Sequence, residues 1–290
     1  KERSSFLQHL QRRWPHAIRR KGLAMKTIIA VILCWIALGS AHPAAASGES
    51  LGSISHIHNV RVLGQKILLG THEGLYILNG ENDITKASPE NFDVMGLSID
   101  GSRIYASGHL VQVSLPNPIG LLLSTNTGKS WKKVSLQGKV DFHLLESAGA
   151  ELYGADSQSG DLFYSNNAGR SWSNRGKNTF SEIAINPMKK REALAIREGA
   201  LIWSKDSFKS ELKLPSKLKF SQIEWNKKFL LASSGSKLLA SVDQGRTWKT
   251  HFTFSAAIGT ITQSSELIVV ITGSQVWKSS DGGKSFAQFI

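Results

Sequence analysis

Ser241-Val242-Asp243-Gln244-Gly245-Arg246-Thr247-Trp248 is one of four near-copies of a single octapeptide in this chain. The others are Ser124-Thr125-Asn126-Thr127-Gly128-Lys129-Ser130-Trp131, Ser165-Asn166-Asn167-Ala168-Gly169-Arg170-Ser171-Trp172 and Ser279-Ser280-Asp281-Gly282-Gly283-Lys284-Ser285-Phe286. Their first residues lie 41, 76 and 38 positions apart, and 76 is twice 38, so one copy has drifted from the pattern. A unit of about 40 residues repeated along a chain marks a propeller or a similar array.

Lining up the octapeptides divides the chain into six similar units of short apolar strands and Gly/Asn/Ser turns, with no sustained helical period. The first strands are expected at 54–63, 92–99, 140–146, 180–185, 220–225 and 258–262. Second strands are expected at 66–71, 103–107, 151–155, 193–196, 229–233 and 267–272. A third strand leads into each box and a fourth follows it. In unit four, Trp203-Ser204-Lys205-Asp206-Ser207-Phe208 keeps the Ser and Asp but has lost the Gly, and in unit one residues 74–78 give the third strand without a box. The expected fold is therefore all-β, a β-propeller of six four-stranded blades, since a closed ring leaves only short, protected sheet edges. An open solenoid is the competing geometry.

The first 46 residues differ in kind. Met25-Lys26 is followed by an apolar run over 27–38 and by small residues over 41–47, the pattern of a secretory signal peptide with cleavage near Ala46. The domain reading is an upstream extension over 1–24 with Met25 as the suspected true start, a signal peptide over 25–46, and one propeller over 47–290. The leader carries eight basic residues and one acidic residue, +7 of the formal +13. The 27 basic and 21 acidic residues that remain form no basic stripe interleaved with aromatics, which excludes nucleic acid as a partner. The single cysteine, Cys34, falls in the leader's apolar run, so the mature chain has neither disulfide nor thiol chemistry. An exported monomer with no membrane span after cleavage follows, stabilised by core burial alone.

Each box has a physical role. Asn126, Asn167, Asp243 and Asp281 can accept backbone N–H groups in an Asx-type turn. The glycines can take positive φ without a steric penalty, and the closing Trp or Phe returns a large apolar surface to the core. Two of the four acidic positions are Asn, which can serve neither as acid nor as base, so the boxes read as scaffold rather than as a catalytic or calcium site.

The histidines carry the sharper signal. Five of the six beyond the leader lie in units one to three: His56, His58, His72, His109 and His143. His56-Ile57-His58, Asp93-Val94-Met95 and Asp141-Phe142-His143 share one position, the start of strand one. Alternate residues there face one way and Ile57, Val94 and Phe142 the other. His72 and His109 share a second position just after strand two, where Asp156 is the counterpart in unit three. In a propeller both positions meet at one mouth of the channel. His56, His58, His72, His109 and His143 with Asp93 and Asp141 make a candidate transition-metal site, Zn²⁺ or copper by ligand type. Met95 reads as packing, and polar channel lining is the alternative for the whole set.

The octapeptide resembles the Asp-box, or BNR repeat, of bacterial sialidases and sortilin-like propellers. Units one to three further resemble a group of secreted bacterial proteins labelled glycosyl hydrolase or BNR-repeat protein. The resemblance rests on His56-Ile57-His58, Gly70-Thr71-His72-Glu73-Gly74-Leu75, Asp93-Val94-Met95-Gly96-Leu97, Ala106-Ser107-Gly108-His109, Pro116-Asn117-Pro118-Ile119-Gly120-Leu121 and Asp141-Phe142-His143. It spans about 100 residues and departs from that group's pattern at Asn59 and Leu110, where Gly and Pro are usual. It implies a propeller and a glycosidase label, but the Arg-Ile-Pro signature of a sialidase is not found near the start of the propeller, and several of the few arginines sit in boxes (Arg170, Arg246) or next to turns (Arg103, Arg175). A glycosidase of another type would use Asp93 and Asp141 as its two carboxylates. Three function classes follow: a non-catalytic extracytoplasmic binding or assembly module with metal or a small polar ligand or glycan at the mouth, a glycoside hydrolase, and a scaffold for an envelope protein, similar in role to the propeller assembly factors of photosynthetic complexes.

Overall fold

The computed structural model describes residues 50–110 and 116–290, so the upstream extension and signal-peptide region lie outside the described residues. A short 3₁₀ turn, Leu51–Ser53, leads into six antiparallel sheets of four consecutive strands each. Blade one is β1 (Ile57–Leu63), β2 (Lys66–Thr71), β3 (Gly74–Gly80) and β4 (Asp83–Lys86). Blade two is β5 (Phe92–Asp100), β6 (Arg103–Leu110), β7 (Leu121–Ser124) and β8 (Lys132–Ser135). Blade three is β9 (Phe142–Ala148), β10 (Glu151–Asp156), β11 (Asp161–Ser165) and β12 (Ser173–Lys177). Blade four is β13 (Glu182–Ile185), β14 (Ala193–Arg197), β15 (Ala200–Ser204) and β16 (Leu212–Lys213). Blade five is β17 (Gln222–Trp225), β18 (Leu230–Ser234), β19 (Lys237–Ser241) and β20 (Lys249–Thr253). Blade six is β21 (Ile258–Gln263), β22 (Ile268–Thr272), β23 (Gln275–Ser279) and β24 (Ala287–Gln288).

The first strands stand side by side around the axis, in the order β1, β5, β9, β13, β17, β21, and β21 returns to β1. The ring is closed, which removes the open solenoid. Six apolar clusters hold it, each shared by two neighbouring blades. Between blades six and one, Val60 and Ile67 meet Val269 and Val276. Between three and four, Tyr153 and Tyr164 meet Phe180 and Phe208. A blade alone would expose both faces of a nearly all-apolar second strand, such as Lys66–Thr71, in which only Lys66 is exposed. Stacking against two neighbours buries both, at about 1.5–3 kcal/mol per large side chain.

The boxes form the turns expected of them, with one addition. In box three the Asn167 carboxamide oxygen accepts the Ser171 N–H at 2.9 Å, while the Ser165 hydroxyl accepts the Gly169 N–H at 3.0 Å. The first Ser is thus as much part of the turn as the Asn. Asp243 and Asp281 repeat the pattern, and their carboxylates are spent on their own turns. Those hydrogen bonds hold the Asp243 carboxyl down at about 2.

Unit four retains the turn despite its altered sequence. The Ser204 hydroxyl accepts the Phe208 N–H at 2.8 Å, and Asp206 accepts the Ser210 N–H at 2.9 Å. Phe208 stands in the glycine's place with φ 55°, where the box glycines have φ near 80°, as Gly169 does. Left-handed backbone is strained for a bulky residue. The compensation is packing: the closing aromatic of the other boxes is Glu211 here, and the Phe208 ring lies 4.7 Å from Phe180 and 5.5 Å from Tyr153. The aromatic plug has moved three residues within the turn and still fills the gap between blades.

Candidate metal centre at the channel mouth

Strand one begins at the mouth with a register fault in each of blades one to three. Ile57 pairs with Thr71 and Asn59 with Gly70, so His58 has no partner opposite. Met95 is skipped in the same way between Val94 and Gly96, and His143 between Phe142 and Leu144. A bulge of this kind re-aims the side chain of its extra residue. Blades four and five pair their first strands without a fault. The bulges leave Ile57, Val94 and Phe142 buried in the cores between blades, on the opposite face from the polar residues. Gly108, at φ 156°, allows the closest approach: a Cβ there would lie 1.8 Å from the Asp93 carbonyl oxygen.

The result is a chain of imidazoles and carboxylates crossing three blades. Asp93, at the head of β5, is 3 % exposed and is met from blade one by His58 Nε2 at 3.0 Å and His72 Nδ1 at 2.6 Å. His109, from the end of β6, places Nε2 at 3.3 Å from Asp93 and Nδ1 at 3.0 Å from Asp141. His143 Nε2 completes the chain at 3.2 Å from Asp141. Six of the seven residues picked out in the sequence are therefore in direct contact. The seventh, His56, is exposed, with its ring 6.3 Å from that of His58 and 6.0 Å from that of His72.

Among the described residues, His58, His72 and Asp93 alone form a group of three His, Asp, Glu or Cys ligands whose donor atoms all lie within 4.8 Å of one another. Donors bound to a tetrahedral ion at 2.0–2.1 Å stand about 3.3 Å apart, so the two imidazoles, now at 3.0 and 2.6 Å from the Asp93 carboxylate, would move apart slightly to admit one. His58 Nε2 and Asp93 Oδ1 face each other while buried, yet neither makes an aligned hydrogen bond. Burial pushes the Asp93 carboxyl up, but the close approach of His58 and the hydrogen bond from His72 outweigh it, and the group sits below its ordinary value. Asp141 follows the same balance, burial against His143 and His109. Both are carboxylates at neutral pH, and neither suits the part of a general acid, which needs a raised pKa. The His109 ring also stands between them, where a glycosidase would hold the scissile bond.

Asp156, the repeat-counterpart of His72 and His109, does not join the chain. Its carboxylate accepts the Asp141 N–H at 2.8 Å and the Ser159 N–H at 2.8 Å, so it fixes the backbone that carries Asp141. Asn59, where the resembling proteins carry Gly, donates to the Met95 carbonyl at 2.7 Å and ties β1 to β5.

One cluster was not read from the sequence. Farther along the channel, Arg61 of β1 pairs with Glu146 of β9 at 2.6 Å, beside Glu224 of β17, around a cavity of about 90 Å³. Burial raises the Glu224 carboxyl to about 8, with Glu146 adding to the shift and Arg61 opposing it. The signal was available: Arg61, Glu146 and Glu224 lie on the first strands of three different units.

No family model matches the chain, and no curated protein matches it. Solved structures do. A structure titled YCF48 bound to D1 peptide is 13% identical, with a TM-score of 0.50 over 84% of this chain and 82% of that one. The GH74 enzyme of Niastella koreensis is 14% identical with a TM-score of 0.57, over 83% of this chain and 37% of that one. A chain of the nidogen/laminin complex is 10% identical with a TM-score of 0.54, over 79% of this chain and 92% of that one. At such identities the likeness is one of fold: these are β-propellers, some of them enzymes and some binding modules.

Proposed function

We propose that the protein is an extracytoplasmic binding module whose His-rich mouth holds a transition-metal ion. His58, His72 and Asp93 are the ligands, leaving an open coordination position toward solvent. The observation that carries this reading is the buried, unaligned pair of His58 Nε2 and Asp93 Oδ1, closed by His72 at 2.6 Å from the same carboxylate. A nitrogen-rich N₂O set suits Zn²⁺ or copper rather than Ca²⁺ or Mg²⁺. His109 and the backbone-fixed Asp141 support the set from behind, as outer partners of metal ligands do.

The open position is where a polar group of an envelope protein, a small ligand or a glycan would bind. That YCF48 is seen with a bound peptide supports a protein partner for a propeller of this shape. Export rests on the signal-peptide pattern of residues 25–46. Titration calorimetry of untagged protein with Zn²⁺ and Cu²⁺ tests the metal, with one tight equivalent expected and no heat from either ion overturning it. Turnover of any member of a chromogenic glycoside panel would replace this reading with the hydrolase one.

A further inference from the structure

The end of the ring opposite the mouth carries a pocket of a different chemistry. Strand one starts at the mouth and runs away from it, so the turns between first and second strands and the boxes lie together at the far end. Between blades three and four they enclose a polar cavity of about 240 Å³, walled by box three, β12, the β13–β14 turn and box four. Pockets for drug-sized ligands run to roughly 300–1,000 Å³, so this one suits a small group. Arg175, Arg191 and Lys209 line it against a single carboxylate, Asp206. That carboxylate is spent on its own turn, accepting the Lys209 and Ser210 N–H groups and the Ser204 and Ser210 hydroxyls. Among the described residues no carboxylate forms an ion pair with any of the three cations.

Both arginines are held by bonds that leave their charged ends open. Arg175 donates through Nε to the Ser207 carbonyl at 2.8 Å and lies 5.0 Å from the centre of the Tyr164 ring. Those contacts fix the guanidinium plane and leave both terminal nitrogens to donate into the cavity. Arg191 has φ 63°, the left-handed backbone that the shorter turns of blades one to three give to Gly64, Gly101 and Gly149. The buried Glu151 of blade three accepts its N–H at 2.8 and 3.0 Å, and its carbonyl accepts the Ser207 N–H at 3.0 Å. Glycine would make this turn without strain. Instead both neighbours pin an arginine there with its side chain on the cavity wall, and strain held in this way is common at ligand clamps.

We propose that this cavity binds a phosphate monoester or free phosphate, with Arg175 and Arg191 as hydrogen-bonding forks and Lys209 as a point charge. Three cations less Asp206 leave 3 − 1 = +2 on the lining, matching a phosphate group of about −1.5 to −2 at pH 7. A single carboxylate ligand would leave half of that charge unmatched. The site shares no residue with the metal centre.

The test is titration calorimetry of metal-free protein with inorganic phosphate and with glucose 6-phosphate, so that no ion at the mouth can take the anion. Wild type should bind at least one of them with a Kd of about 1 mM or below, weakening as salt is raised. Arg191→Gly combined with Lys209→Ala keeps the turn's backbone and its N–H. It should weaken binding by about tenfold or more without lowering Tm. Binding of glucose 6-phosphate alone supports the site and assigns the group to a phosphorylated sugar; binding of inorganic phosphate supports it with the anion alone as ligand. No heat from either compound, or an affinity untouched in Arg191→Gly/Lys209→Ala, overturns the site and leaves the metal centre standing.

Discussion

Blades one to three and blades four to six share one backbone plan and differ at their tips. At the head of strand one, the first half carries His56/His58, Asp93/Met95 and Asp141/His143 around buried Ile57, Val94 and Phe142, whereas the second half carries Thr179/Ser181, Lys219/Ser221 and Ala257/Gly259 around buried Phe180, Phe220 and Ile258. The first half has a bulge in all three first strands; blade six has one too, at Gly259, and blades four and five have none. In the second half, polar groups at the mouth satisfy one another. The Ser221 and Ser233 hydroxyls share a hydrogen bond at 2.7 Å, and Gln222 donates to Glu182 at 2.8 Å. In the first half they do not, and buried donors and acceptors are left over. Unpartnered buried atoms occur elsewhere, at Trp203 and Gln263 for example, but among the described residues only at this mouth do they belong to imidazoles and carboxylates.

Substitutions can separate the two halves, and the largest effect should come from the plug of blade four. Phe208→Ala removes a buried ring between blades three and four and leaves Ala at a left-handed φ. It should cost about 3–5 kcal/mol in denaturant unfolding while leaving metal affinity unchanged. Trp248→Ala should cost less, about 3 kcal/mol at the lower end of the same range. Its ring is only half-buried, 5.1 Å from Phe220, and its indole N–H bonds the Gly245 carbonyl at 2.9 Å. A change in metal affinity from either variant would mean that the halves are not independent.

The reverse experiment removes His72. Wild type at a hundredfold excess of free Zn²⁺ over its Kd should gain about 2.7 kcal/mol of stability. His72→Ala should lose that gain, and its metal-free form should be less stable than metal-free wild type because the buried Asp93 carboxylate loses a partner at 2.6 Å. A Zn²⁺-dependent gain that persists in His72→Ala would overturn the assigned ligand.

A subtler change is expected inside the channel. Glu224 keeps its proton in the folded state up to about pH 8, whereas in the unfolded chain it ionises near its ordinary 4.5. Between those values the native state binds more protons, so stability falls as pH rises and levels off above pH 8. Glu224→Gln should flatten that slope and stabilise the protein at pH 8 relative to wild type. A slope that persists would assign it to another group. In the boxes the sign is opposite: Asp243 and Asp206 are held at about 2, so their support is complete above pH 4 and fades toward pH 2. Both lie at the surface, and solvent screening makes this the smallest effect.

Much of the fold was legible because a propeller is written as period and punctuation. The boxes gave the blade count, and the expected strand β2 at 66–71 matches Lys66–Thr71 residue for residue. Other boundaries moved by up to three residues, as for β6, which runs on to Leu110. The drifted box of unit four was legible as a loss of Gly. That Phe208 takes over both the glycine's backbone and the closing ring was not, because only packing between blades rewards it.

The seven candidate ligands were found in the same way, from shared positions in the repeat, since residues at equivalent places converge on the axis. What the sequence determined by itself was the number of blades, the face on which strand one turns its polar residues, and which half of the mouth carries imidazole. Tertiary structure decided the rest. The bulges that re-aim His58 and His143, the one-blade offset that sets Asp93 against blade one and Asp141 against His109, and the diversion of Asp156 to a backbone brace all arise from contacts between units. A repeat fixes what each blade contributes, but the angle and spacing between neighbouring blades are set by the apolar side chains packed between them, and those alone determine which contributions meet.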